Sequence, residues 1–353
     1  MRYVSIDILR ALAIVIMVFV HFGENLAHYV VPFAGFGAPL FALLSGVGYR
    51  LWLAGQRAKG TPEEQISKIS LRRGFFVFGV GFAFNILVWL PDDTFNWDVL
   101  TLIGAALVLL NVMRRMPDAV TITAIGLILF MAPFLRALAE YDLFWNDDYY
   151  DGDVSLTDVL AGFIATGYFP LFPWLAYSLT GYLLGGTLFQ SKTPWRRPAM
   201  VGVSLIGAGV LLLLVGPSTP AKVQAHLLQG WDMFPATFEY TLVSLGASVF
   251  LLAVVHHLVD GKDASPERFR VATLFSRYSF TIYLLHHIVH LWPLWIYGLA
   301  LGMAPDEIWR NAMGPVPALI LAAIFLVLCY VGLKALPRGR RFGMEAWMRW
   351  LCD

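Results

Sequence analysis

Residues 5–22 read SIDILRALAIVIMVFVHF, an almost unbroken apolar run that carries Asp7, Arg10 and His21. Its length is near the ~20 residues an α-helix needs to cross a bilayer. Ionisable side chains in such a segment are costly, so they are expected to face protein or water and to mark function. Residues 10 and 21 are eleven positions apart. At about 100° per residue that is three turns plus about 20°, which places Arg10 and His21 on one helix face, about 16 Å apart along the axis.

The rest of the chain agrees with a membrane reading. Of 353 residues, 58% are hydrophobic and only 14% charged, with a mean hydropathy of +0.67, outside the range of soluble domains. Apolar spans fall at 8–28, 34–54, 74–90, 99–113, 119–138, 168–189, 199–215, 236–257, 273–299 and 314–335. The expected fold is therefore all-α, a polytopic bundle of about ten transmembrane helices forming a single domain, 1–353. Segments 99–113 and 199–215 are short and 273–299 contains Pro293, so nine or eleven spans are the alternatives.

Loop charge gives an independent test, because Lys and Arg collect on the cytoplasmic side of short loops. With a cytoplasmic N-terminus, 22 of the 25 basic residues fall on one side, leaving only Arg136, Lys222 and Arg310 on the other. A misplaced span would scramble that split, so both termini are expected in the cytoplasm. Net charge is +1 and no basic stripe stands outside these loops, which excludes nucleic acid as a partner. Cys329 and Cys352 make neither a disulfide framework nor a thiolate site. The outer segment WNDDYYDGD, 145–153, is expected to be a solvated loop, with polyol binding as the alternative.

Several blocks carry a family resemblance. The Arg10 and His21 pair in SIDILRALAIVIMVFVHF resembles the first helix of the transmembrane acyltransferase superfamily, which includes acyltransferase-3 and heparan-α-glucosaminide N-acetyltransferase-like proteins. APLFALLSGVGYRL (38–51) resembles its second-helix Ser-Gly motif, and SLRRGFFVFGVGFAFN (70–85) the basic start of the third helix. DVLTLIGAALVLL (98–110), GYFPLFPWLAYSLTGYLLG (167–185), FPATFEYTLVSLG (234–246) and FSRYSFTIYLLHH (275–287) are similar to later blocks of the acetyltransferase-like branch. The resemblance implies acyl transfer, commonly from cytoplasmic acyl-CoA as co-substrate, to a hydroxyl or amine of a sugar or glycolipid, with the reacting histidine inside the bundle. No permanently bound cofactor is implied, and the expected location is a bacterial inner membrane.

The residues fit that chemistry. Acyl transfer from a thioester needs a base for the acceptor proton, and imidazole is suited to it near neutral pH. His21 is the candidate, against a buried, hydrogen-bonded structural histidine. Arg10, near the cytoplasmic face, suits a donor phosphate; its alternative is a snorkelling residue paired with Asp7. Arg50, Arg72 and Arg73 extend the donor site or simply anchor the loops. Ser45, Glu239, His28, His286 and His287 are candidates for acceptor contact or support. Ser45 beside Gly46 also suits a helix contact, and His28 a position at the rim. His286 and His290 are four apart, yet no H-E-x-x-H motif or neighbouring carboxylate accompanies them, so no metal is expected. The rival class is a secondary transporter with Arg10, His21 and Glu239 as an ion path, but no inverted repeat supports it.

Overall fold

The computed structural model describes residues 2–89, 94–146, 149–152, 154–190, 193–262, 266–303, 308–309, 312–336 and 342–353. Lys192, Arg310, the tail arginines 338, 340 and 341, and the aspartates 147, 148 and 153 of the outer segment lie outside the described residues. The protein is an all-helical membrane protein. Among the described residues, seven helical segments are long and apolar enough to cross a bilayer: Val4–Ala27, Ala34–Ala58, Glu63–Trp89, Asp118–Leu138, Arg196–Ser218, Phe238–Val259 and Pro315–Ala335. Each of the ten expected segments overlaps a helix, 273–299 running from the end of Arg270–Arg277 through Ser279–Ala300, and three depart from a straight, fully apolar span. Val99–Met113 has 15 residues. Leu156–Thr166 and Leu171–Thr187 meet at a bend of 47°, where the Tyr168 and Phe169 amides donate to the Asn96 and Trp97 carbonyls and Pro170 has no N–H to give. Ser279–Ala300 is diluted in hydropathy by three histidines and contains Pro293.

The chain divides into two compact units, Pro39–Leu258 with Cys352, and Arg2–Ala38 with Val259–Leu351 and Asp353. The first holds most of α2 (Gly37–Ala58), then α3 (Glu63–Phe84), α4 (Val99–Met113), α5 (Asp118–Leu138), α6 (Leu156–Ala161), α7 (Leu171–Thr187), α8 (Arg196–Val215), α9 (Ala221–His226) and α10 (Phe238–Val259). Its core joins Tyr49 and Leu53 of α2, Ile66 of α3, Ala106 and Leu110 of α4, Ile128 of α5, and Leu175, Ala176, Leu179 and Tyr182 of α7. Helices α2 and α7 approach so closely that a Cβ on Gly46 would overlap the Ser178 carbonyl oxygen, and one on Gly181 that of Leu43. Small residues permit such contact where the bilayer supplies no hydrophobic drive between helices. The Arg114 guanidinium, fully buried, pins α4 to α3 through an ion pair with Glu63 and hydrogen bonds to Asn111 Oδ1 (3.0 Å) and Ser67 Oγ (2.8 Å).

Between α5 and α6, a short hairpin pairs Trp145 with Tyr150 and Asn146 with Tyr149. Its rings are spent on one another and on neighbours: Trp145 stacks on Tyr141 (5.5 Å) and Phe234 (5.8 Å), and its indole N–H donates to the Thr166 carbonyl at 2.8 Å. That packing leaves little open ring face for a polyol.

The second unit contains α1 (Val4–Ala27), α11 (Arg270–Arg277), α12 (Ser279–Ala300), α13 (Pro315–Ala335) and most of α14 (Met344–Cys352). Helix α1 packs against α11, α12 and α13. Helix α13 buries Ala318, Ala322 and Phe325, one helical stripe, and exposes Val316, Ile320, Ile324, Val327 and Leu328, an apolar face suited to lipid rather than water.

Two carboxylates capture the amides that each helix start leaves without an intrahelical partner. Asp260 Oδ1 accepts from Val4 N (2.9 Å) and Ser5 N (3.3 Å), while Oδ2 takes the Ser5 hydroxyl. Glu345 of α14 does the same for α12, accepting from Phe280 N (2.8 Å), Thr281 N (3.2 Å) and the Thr281 hydroxyl (2.5 Å). Negative charge at a helix N-terminus is favourable, so both caps fix helices that carry the histidines described next.

Candidate active site

Helix α1 ends one residue before His28, which takes a left-handed conformation (φ 47°) and returns its N–H to the Glu24 carbonyl at 3.0 Å. His28 is exposed at this turn, past the end of the helix that carries Arg10. His21 lies inside the unit. Its ring centroid is 4.5 Å from that of His287 and 5.3 Å from that of His286, and those two are 4.0 Å apart. The ligating nitrogens of the three fall within 4.8 Å of one another. His286 and His287 are buried, whereas His21 keeps partial exposure. His21 makes no hydrogen bond among the described residues.

The surrounding bonds fix tautomers, because a carbonyl can only accept. His286 Nδ1 lies against the Tyr283 carbonyl, and so carries the proton. His290 Nδ1 lies 2.6 Å from the His286 carbonyl, and its Nε2 is 2.9 Å from the Asn25 amide nitrogen. His290 is thereby satisfied at both nitrogens. His286 Nε2 is buried without a hydrogen-bond partner among the described residues. Glu24, half-buried on α1 three residues after His21, completes the polar set on this helix. Its signal is present in the sequence, an intramembrane carboxylate at i+3 of the candidate base, next to Asn25.

At the other end of α1, Asp7 is held by Arg2, whose Nε and Nη2 donate to its two oxygens at 2.6 and 3.1 Å. Arg2 also donates to the Thr273 carbonyl at 3.1 Å. The pairing of Arg10 with Asp7 therefore gives way to a fork from outside the helix, and the Arg10 guanidinium makes no ion pair among the described residues. Asp7 still lies near enough to act on it electrostatically.

The remaining candidates lie in the other unit. The Arg50 guanidinium sits 4.5 Å over the Tyr182 ring and 3.8 Å from Asp118, and that of Arg73 sits 5.0 Å over Trp52. Arg72 is exposed. Ser45 donates to the Ala42 carbonyl at 2.7 Å and shares a hydrogen bond with Ser178 at 3.1 Å, in the small-residue contact of α2 with α7. Glu239, fully buried, accepts from Gly230 N at 3.0 Å through Oε1, while its Oε2 has no hydrogen-bond partner among the described residues. Arg136 is not a loop charge: it is buried in α5 and donates to the Ala236 carbonyl (2.8 Å) and Gln229 Oε1 (3.1 Å). A small cavity beside it is lined by Tyr141, Tyr168, Trp174 and Phe234. Burial raises the Tyr141 phenol above its usual range, against the opposing pull of Arg136.

No curated protein matches the chain. Residues 2–216 match the family described as heparan-alpha-glucosaminide N-acetyltransferase, catalytic. The matched part holds Arg10, His21, His28, Ser45, Arg50, Arg72 and Arg73, and ends before Glu239, His286 and His287. The match covers more than half of the sequence, and the chain belongs to this family of membrane acetyltransferases.

Proposed function

We propose that the chain moves an acyl group, acetyl in the first instance, from acyl-CoA to a hydroxyl or amine of a carbohydrate or glycolipid, with His21 as general base. The observation that carries this reading is the His21 imidazole in ring contact with two buried histidines, on a residue of intermediate burial and within the family-matched residues. The His21 lone pair takes the acceptor proton as the acceptor oxygen or nitrogen attacks the thioester carbonyl. The tetrahedral intermediate then collapses, the C–S bond breaks, and the proton passes to the departing CoA thiolate. A two-step route through an acyl-histidine uses the same imidazole; CoA release before acceptor is added separates the two.

Arg10 takes a donor phosphate, a role favoured by the loss of Asp7 to Arg2. Arg50, Arg72 and Arg73 are the further candidates for donor contact, and His286, His287, Ser45, Glu239 and His28 those for the acceptor or for support. The loop charges favour ten spans with both termini in the cytoplasm. The enzyme would act in a bacterial inner membrane as one catalytic domain, 1–353. Incubating purified protein with acetyl-CoA and a panel of amino sugars and glycolipids, with detection of free thiol, tests the reading. Acceptor-dependent CoA release supports it, and its absence across the panel counts against it.

A further inference from the structure

We propose that His21, His286 and His287 form a binding site for one divalent ion of the zinc class, and that an ion held there silences acetyl transfer by taking the His21 lone pair. The second half rests on the assignment of His21 as base; the first does not. Spacing along the chain gave no such site, because it set His286 against His290. The fold instead brings His21 of α1 to the adjacent pair on α12.

Three features carry the inference. First, three imidazole nitrogens within 4.8 Å of one another need only side-chain rotation to reach tetrahedral coordination. Zinc–nitrogen bonds of about 2.0–2.1 Å put neighbouring ligands roughly 3.4 Å apart. Second, His286 is prepared as a ligand. Its Nδ1 proton is committed to the Tyr283 carbonyl, and its Nε2 is buried with no hydrogen-bond partner among the described residues. Metal-binding histidines characteristically hold the second ring nitrogen on a backbone carbonyl or carboxylate in this way. Third, the ligand count closes at three, since His290 spends both nitrogens on the His286 carbonyl and Asn25. Three protein ligands leave a fourth position for water or a small anion. An all-imidazole set selects zinc, cobalt, nickel or copper over magnesium and calcium.

Cobalt(II) tests the site with a readout independent of turnover. The metal-stripped, full-length protein in detergent micelles is titrated with Co²⁺, and the visible bands of four-coordinate cobalt are followed. One equivalent is expected to bind and to be displaced by Zn²⁺. His286→Gln and His287→Gln should each weaken binding by more than about 10-fold, since even partners one shell further out cost 10–100-fold. His226→Ala, at an exposed histidine with no part in the site, should leave it unchanged. Size-exclusion profiles and thermal unfolding of each variant separate lost ligation from lost fold. Absence of a four-coordinate spectrum in wild type, or a spectrum that survives both Gln variants, overturns the site. In a second arm, Zn²⁺ should abolish CoA release and a chelator should restore it; saturated protein that still turns over overturns the silencing. Metal-free His21→Ala judges the base assignment separately.

Discussion

Removing the Asp260 carboxylate should loosen α1 at its start, and the structure allows the cost to be worked out. Asp260 Oδ1 accepts from the amides of Val4 and Ser5, and Oδ2 takes the Ser5 hydroxyl. Asp260→Ala leaves all three donors without that partner. Loss of a helix N-cap costs about 1 kcal/mol, and loss of a carboxylate at a helix N-terminus roughly 0.3–1 kcal/mol more. The Ser5 side chain is fully buried, and a buried hydroxyl left unsatisfied costs about 1–3 kcal/mol. These terms overlap, so about 2–3 kcal/mol is expected for Asp260→Ala. Asp260→Asn keeps an acceptor but loses the charge, and should cost about half as much. Reversible unfolding in detergent micelles measures both. A double-mutant cycle with Ser5→Ala should give a coupling of roughly 0.5 kcal/mol or more, because the residues are bonded directly. An Asp260→Ala variant as stable as wild type, or a vanishing coupling, would refute the view that this carboxylate anchors α1.

Three further outcomes are expected. Glu345→Gln should lower stability by about 1 kcal/mol, since it weakens the bonds to Phe280, Thr281 and the Thr281 hydroxyl; unfolding of the variant checks it, and equal stability would mean α12 is capped by water instead. Arg10→Lys should raise the donor KM with a smaller fall in kcat, because lysine keeps the charge and loses the planar fork; unchanged donor KM would remove Arg10 from the donor site. Reporter fusions after residues 60 and 195 should report cytoplasm and one after 150 the outside; an outside signal at 60 would invert the topology.

Periodicity and hydropathy made the helices legible, because a span must satisfy its own backbone in lipid and so must be a continuous apolar helix. They did not reveal the bend before Leu171, where composition stays apolar while the Tyr168 and Phe169 amides donate outside their own helix. The common face of Arg10 and His21 was readable from helix geometry alone. Their partners were not, since periodicity gives the direction of a face and not what meets it. Thus Asp7, three residues before Arg10, pairs with Arg2 preceding the helix, whose chain is free to fold back. His21 meets His286 and His287 from a helix more than 250 residues away, a contact no spacing rule reaches. Arg136 reads as a loop charge because it stands near the end of an apolar run, while the backbone of Ala236 and the amide of Gln229 bring it inside.

The most direct test is acceptor-dependent CoA release by wild type and by His21→Ala, measured on preparations matched for monodispersity and thermal unfolding. A general base contributes roughly 10²–10⁴-fold, so the variant should lose at least about 100-fold while remaining folded. Release by folded His21→Ala within a few-fold of wild type would contradict the account.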